Sequence, residues 1–140
     1  MLLMDTGAYV AYLDTDDPWH TRMSAAIDAV TVPMWTTMPV VTEAMFYLIH
    51  CPGGVEDLVT FLEETGTNIA GLSEFDALKR ATALMAKYRD IPMDFADASL
   101  VCLADELNVR DILTVDERGF RVFRTQRRKV FHLVLDDFPG

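Results

Sequence analysis

A single α/β domain built on a mainly parallel sheet is the fold class the sequence predicts, and three observations lead to it. Short apolar runs alternate with longer segments of helical spacing throughout the 140 residues, which is the pattern of strand–helix–strand units. No linker, internal repeat or low-complexity segment divides the chain, so one domain over residues 1–140 is expected, large enough to bury a proper core. Acidic residues stand at the ends of several apolar runs, and ligands of parallel sheets bind beyond the carboxyl ends of the strands.

Taken in order, Leu2-Leu3-Met4 reads as a buried strand, Asp5-Thr6 as a turn, and Ala8–Leu13 as a first helix. From Pro18 to Val30, a proline at the start and apolar residues at Trp19, Met23, Ala26, Ile27 and Val30 give helical spacing. Trp35-Thr36-Thr37 is a short strand, and Pro39 opens a helix to Ile49 that Pro52-Gly53-Gly54 stops. Val55–Glu64 is a further helix with Leu58, Phe61 and Leu62 on one side, followed by a brief strand over Asn68–Leu72. Ser73 offers an N-cap, with Asp76 three residues on, to a helix reaching Tyr88 through Phe75, Leu78, Ala81, Leu84 and Met85. Asp94 precedes an apolar helix from Phe95 to Leu107; Asp111–Val115 is a buried strand ending at Asp116, and Val130–Leu135 is the last strand.

Composition excludes several classes. Hydrophobic content of 51% with 24% charged residues is that of an ordinary globular chain, and no apolar run approaches the ~20 residues a membrane span needs. The N-terminus has neither a basic stretch nor a cleavage site, so no signal peptide, a cytoplasmic location and no membrane association are expected. Cys51 and Cys102 are then reduced thiols in apolar helical contexts, small buried hydrophobes rather than ligands. His20, His50 and His132 are scattered without a metal-ligand spacing or a nucleophile motif, and there is no Gly-rich phosphate loop. A net charge of −10 argues against holding nucleic acid by attraction over the whole surface. The charge is uneven, however: Arg110–Lys129 carries seven cations against three acids, a local +4 on a body of −14. Such a segment suits a solvated face, a polyanion-binding edge or a docking site for an acidic peptide.

Four acids interrupt apolar surroundings, Asp5, Glu43, Asp97 and Asp116, with Asp94 as a possible fifth. Each has an ordinary role open to it. Asp5 can cap the first helix, Glu43 can face solvent on a stripe with Tyr47 and His50, Asp94 and Asp97 can form a helix-capping pair, and Asp116 can make a turn before Glu117-Arg118-Gly119. Thr6 and Thr114 can cap and pack, or orient carboxylates and waters. Gathered in one place without a nearby Lys or Arg, the acids repel one another unless some stay protonated or a cation joins them. An all-oxygen set suits Mg²⁺, with Mn²⁺ as a substitute, and is matched to phosphoryl chemistry.

At Asp5-Thr6-Gly7 after the opening strand, Thr42-Glu43, Met93-Asp94-Phe95-Ala96-Asp97-Ala98-Ser99-Leu100, and Leu113-Thr114-Val115-Asp116 before Phe120, the chain resembles the PIN-domain family, in particular VapC-type toxins. The resemblance runs from Leu2 to about Leu135 and leaves no acid of the pattern missing. It implies an acidic, Mg²⁺-binding quartet of Asp5, Glu43, Asp97 and Asp116, accompanied by Asp94, in a metal-dependent ribonuclease. It also implies RNA as substrate, a homodimer, and silencing by a VapB-type antitoxin. Glu43 would complete the metal shell or orient the attacking water, and Arg118, Arg121 and Arg124 are the candidate phosphate contacts. Three other readings stay open: a PIN-like module that binds RNA or protein without cleaving, a housekeeping RNA-processing nuclease, and a phosphatase with Asp5 as nucleophile. The last lacks its usual second acid, since Gly7 stands two residues after Asp5.

Overall fold

In the computed structural model, which describes residues 1–140, the elements are β1 (Leu2–Met4), α1 (Thr6–Leu13), α2 (His20–Asp28), β2 (Met34–Thr37), α3 (Met38–Leu48), α4 (Gly54–Glu64) and β3 (Asn68–Ala70). There follow α5 (Phe75–Lys87), α6 (Phe95–Leu107), β4 (Asp111–Leu113), α7 (Glu117–Phe120), β5 (His132–Leu133) and a terminal 3₁₀ turn (Val134–Asp137). The five strands form one sheet in the order β3-β2-β1-β4-β5. Every pairing is parallel, with Leu3 opposite both Trp35 and Ile112. The predicted parallel α/β architecture is therefore the observed one.

β1 lies in the middle of the sheet, and Leu2, Leu3 and Met4 are all buried. Successive side chains of a strand point to opposite faces, so helices must cover both sides of it. That is why the run is uniformly apolar rather than alternating. The strand order reverses direction at β1, where connections leave to β2 on one side and β4 on the other. This switch point opens a crevice at the carboxyl end of the sheet, into which Asp5 is delivered directly.

The helix carrying Asp97 is the most deeply set. From Ala96 to Ala104 every residue of α6 is buried, and it packs against α3, α5 and β2. A helix that is apolar all round belongs in the interior, and the alanines at 96, 98 and 104 let its neighbours approach closely. It ends at Asn108, whose left-handed backbone (φ 52°) closes the last turn.

The structure departs from the predicted bounds mostly at strand ends. β3 stops at Ala70, because Leu72 turns into the left-handed region at φ 54°. The last strand shrinks to His132–Leu133 and gives way to the 3₁₀ turn, which Arg22 anchors by donating to the carbonyl oxygens of Leu135 and Phe138. The second helix starts at His20 rather than Pro18. A short helix, α7, stands where a turn was expected after Asp116. It is held by a chain of edge-to-face rings: Phe120–Phe123 at 5.2 Å, Phe120–Phe131 at 5.4 Å and Tyr88–Phe123 at 5.1 Å between centroids.

The buried core forms one contiguous cluster, with Leu100 fully enclosed at the centre of α6. Replacing Leu100 by alanine is expected to cost about 2–5 kcal/mol of stability, the usual penalty for an unrelaxed core cavity. Urea unfolding of wild type and variant checks this, and a loss below 1 kcal/mol would show that α6 is not the structural spine inferred here.

Candidate active site

Four of the five acids reach the crevice at a helix start, as members of a cap. Asp5 caps α1, its Oδ1 accepting from the Thr6 amide at 2.8 Å, while its Oδ2 accepts from the Thr114 hydroxyl at 2.7 Å. Asp94 and Asp97 form a reciprocal capping box on α6: Asp97 N–H donates to Asp94 Oδ1 at 2.8 Å, and Asp94 N–H donates to Asp97 Oδ2 at 3.2 Å. Asp116 caps α7 by accepting from Gly119 N–H at 3.0 Å, and its own N–H donates to the Thr114 hydroxyl at 2.9 Å. Glu43 sits one turn into α3, half-buried, while its stripe-mates Tyr47 and His50 are exposed.

The structure brings these acids within electrostatic reach of one another. Burial raises Asp5 from the usual 3.8 to about 6, against the hydrogen bonds from Thr114 and Thr6, and the charges of Asp116 and Asp94 add to the rise. Asp97 is pushed far above the carboxylate range, first by burial, then by Asp5 and Asp94. Glu43 rises for the same leading reason, with Asp94 and Asp5 again contributing. None of the five is ion-paired. The chain's salt bridges lie elsewhere, at Arg80–Glu106, at Arg121 with Glu117 and Asp136, and at His132 with Asp111 and Asp137.

No three acidic, histidine or cysteine side chains are drawn into a ready coordination cage. The chemistry of the donor set nonetheless fits a hard divalent cation: several oxygens, crowded negative charge and no competing basic side chain. Asp94, Asp97 and Asp116 each commit only one carboxylate oxygen to a backbone amide, so the other is available. The Thr6 hydroxyl is also buried without completing a hydrogen bond, although it lies close enough to Glu43 to lower that acid's proton affinity.

Sequence reasoning did not reach the polar layer beneath the acids. Thr36 donates to the Met4 carbonyl at 2.9 Å, fixing β2 to β1 just below Asp5. Thr37 caps α3 and shares a 2.7 Å hydrogen bond with Ser99, two residues after Asp97. The only signal for this layer was a pair of threonines ending a strand. Gly119, which the sequence pattern did not single out, is also required: a Cβ there would lie 2.5 Å from Asp116 Oδ2 and 2.8 Å from the buried Phe123 ring.

The three arginines offered as phosphate contacts are not equivalent. Arg121 is occupied by Asp136 at 2.8 Å, and Arg124 turns its guanidinium back onto the carbonyls of Arg121, Val122 and Phe123. Arg118 is exposed and has no side-chain partner, two residues beyond Asp116. A cleft of about 840 Å³ shares Glu43 and Asp94 with the acid cluster and runs along Met38, Phe46, Leu72, Leu78 and Phe95.

No family model matches the chain. Ribonuclease VapC26 of Mycobacterium tuberculosis is 32% identical over 125 residues, which span 88% of this chain and 92% of that protein. The crystal structure of VapC20 from Mycobacterium tuberculosis, described as a sarcin-ricin loop cleaving toxin, superposes with a TM-score of 0.78. It does so at 13% identity, over 88% of this chain and 96% of that one, and so attests the fold.

Two outcomes follow from the geometry. Acids with raised pKa values bind protons more tightly folded than unfolded, so they cost stability as pH rises. For Asp5 the decline runs from about pH 4 to about pH 6, and Asp97 and Glu43 extend it upward. Asp136, lowered by Arg121, works the other way but is an exposed pair of small effect. The metal-free protein should therefore melt at a higher temperature at pH 5 than at pH 8, and Asp97→Asn should raise the melting temperature at pH 8. A metal-free melting profile that rises with pH would refute the clustering of charge. Gly119→Ala should cost about 1–3 kcal/mol by overpacking against Phe123. It should also displace the Asp116 carboxylate, read as a lost Gly119–Asp116 hydrogen bond in amide exchange.

Proposed function

The chain belongs to the VapC family of ribonucleases, and from that premise we propose that it is the endoribonuclease toxin of a VapBC-like pair, hydrolysing RNA phosphodiester bonds at Asp5, Glu43, Asp97 and Asp116. The observation that carries this assignment of residues is the convergence of unpaired, mutually destabilising carboxylates at the switch point of the sheet. A module that only bound RNA or protein would have no use for charges that weaken its own fold.

Asp5, Asp97 and Asp116 are the residues that would hold a divalent cation, Mg²⁺ with Mn²⁺ as a substitute, and Asp94 is near enough to join them if a second ion binds. Such an ion, when bound, supplies charge stabilisation at the phosphate and a more acidic water. The protein's own part is positional. Thr114 holds Asp5, the α6 capping box holds Asp97, and Gly119 holds Asp116, so the oxygens do not need to reorganise on binding. The Thr6 hydroxyl lies close to Glu43 and favours its charged form. Glu43, with its affinity for protons raised by burial, is suited to orient the attacking water and take its proton. Arg118 is the free cation nearest in sequence to this edge and takes the role of phosphate contact; Arg121 and Arg124 serve the fold.

The proposal extends to a VapB-like antitoxin and to a homodimer in the cytoplasm. The dimer rests on apolar residues left exposed on neighbouring helices, Ile49 after α3 and Val59 on α4. No helix is long and apolar enough to cross a membrane.

Asp5→Asn and Asp97→Asn should each lower RNA cleavage in Mg²⁺ or Mn²⁺ by about 100-fold or more, the scale of losing a metal ligand's several kcal/mol, while the far-UV spectrum is unchanged. Calorimetric titration with Mn²⁺ should show heat for wild type and little for the variants. Intact RNA across a broad panel, with no growth arrest on expression, would end this reading. Arg118→Ala should raise KM with kcat little changed, as expected for a contact made equally in ground and transition states.

A further inference from the structure

We propose that the cleft bounded by α3, the β3–α5 connection and the start of α6 seats an unpaired nucleobase of the RNA, stacked on Phe46, beside the phosphate that is cleaved. The inference rests on the nuclease reading above and adds to it the place where one base beside the cut is held.

The cleft's position makes it part of the substrate path. Glu43 and Asp94 belong both to its lining and to the acid cluster, so a nucleotide whose phosphate lies at the acids has a neighbouring base at the cleft. Its volume of about 840 Å³ falls within the ordinary range for ligand clefts. Its chemistry selects the moiety. The lining is largely apolar, and its only charged members are Glu43 and Asp94, with no Lys or Arg. A phosphate is repelled there, whereas a flat neutral ring is accepted.

Phe46 supplies the stacking surface. Its side chain is 69% exposed and lines the cleft beside Met38, Leu72, Leu78 and Phe95, so its ring is open to a flat ligand there. Tyr47 packs against it in a T-shaped pair, with centroids 5.5 Å apart at 79°, and most of the Phe46 ring stays open to an incoming base. Leu72 forms another part of the lining from a left-handed backbone at φ 54°, a conformation that a bulky residue adopts only under local constraint. Bases in an A-form duplex are stacked on their neighbours and cannot enter such a cleft, so the occupant comes from a loop or a single strand.

The test uses a cleaved RNA oligonucleotide in which each nucleotide around the cut is made abasic in turn. At one flanking position the abasic substitution should lower kcat/KM by about 10- to 100-fold, the usual worth of one stacked base. Phe46→Ala should cause a loss of the same order on the intact oligonucleotide, and the abasic and Phe46→Ala losses should not multiply. Leu72→Gly, which relieves the backbone constraint, should weaken the same base preference without lowering the melting temperature. A second readout needs no cleavage: 2-aminopurine at that position should change its fluorescence on binding to the Asp97→Asn protein, and not to Asp97→Asn combined with Phe46→Ala. If wild type cleaves RNA but the abasic and Phe46→Ala losses multiply in full, or no position responds in fluorescence, the base cleft is refuted and the nuclease reading stands. If Phe46→Ala instead leaves cleavage intact and abolishes binding of a basic peptide that competes with RNA, the cleft belongs to a protein partner. If neither cleavage nor RNA binding is found, both readings fail together.

Discussion

The parallel register of the first and fourth strands is the constraint on which the rest of the molecule hangs. Met4 lies opposite Leu113, and the Asp5 amide donates to the Leu113 carbonyl at 3.0 Å. With that pairing fixed, the Thr114 hydroxyl meets Asp5 on one side and the Asp116 amide on the other. A slip of one residue would send the apolar side chains of β1 to the opposite face and take Asp5 away from Thr114. Burial therefore fixes the register, and the register fixes the acids. The energetic burden falls the other way, since buried carboxylates weaken the fold that positions them. An interior packed around α6, together with hydrogen bonds from three helix starts, offsets that burden.

The distribution of charge bears on how the proposed site would meet RNA. A chain of net charge −10 repels polyanions at a distance, so little affinity for RNA comes from long-range attraction. The basic segment is also less free than its composition implies. Arg121 is spent on Asp136, and Arg124 on carbonyl groups of its own turn. On the proposed reading, the contacts left for RNA are the exposed cations without a side-chain partner, Arg118 among them, the acids through a bound ion, and the cleft beside Glu43. A nuclease so built discriminates by what fits at close quarters. Its RNA affinity should depend on salt far more weakly than that of a protein with a basic face.

Much of this was legible in the sequence, for definite reasons. The alternation of apolar runs with helical spacing revealed the parallel sheet, and the lack of basic residues around Asp5, Glu43 and Asp97 marked them as a set rather than as surface charges. Features set by tertiary contact were not legible. α7 is only four residues long and exists because Phe120 is locked between Phe123 and Phe131, which no local propensity records. The last strand is cut short by the docking of Arg22, more than a hundred residues away in sequence. Seven cations between residues 110 and 129 announced a basic edge, but which of them were free depended on partners such as Asp136 that only the fold supplies.

The capping and metal-binding readings of the acids, rivals at the level of sequence, prove compatible in three dimensions. A carboxylate at a helix start accepts a backbone amide with one oxygen, and the positive end of the helix favours its charged form. That fixes the side chain and leaves its second oxygen open, as at Asp94, Asp97 and Asp116. Burial opposes the dipole and wins at Asp97, whose affinity for protons is raised despite its place in a capping box. An acid placed in this way is anchored but poorly neutralised. Capping supplies the rigidity, and crowding leaves charge for a cation to neutralise. Caps at neighbouring helix starts around one switch point are thus a direct route from an ordinary parallel sheet to a crowded acidic crevice.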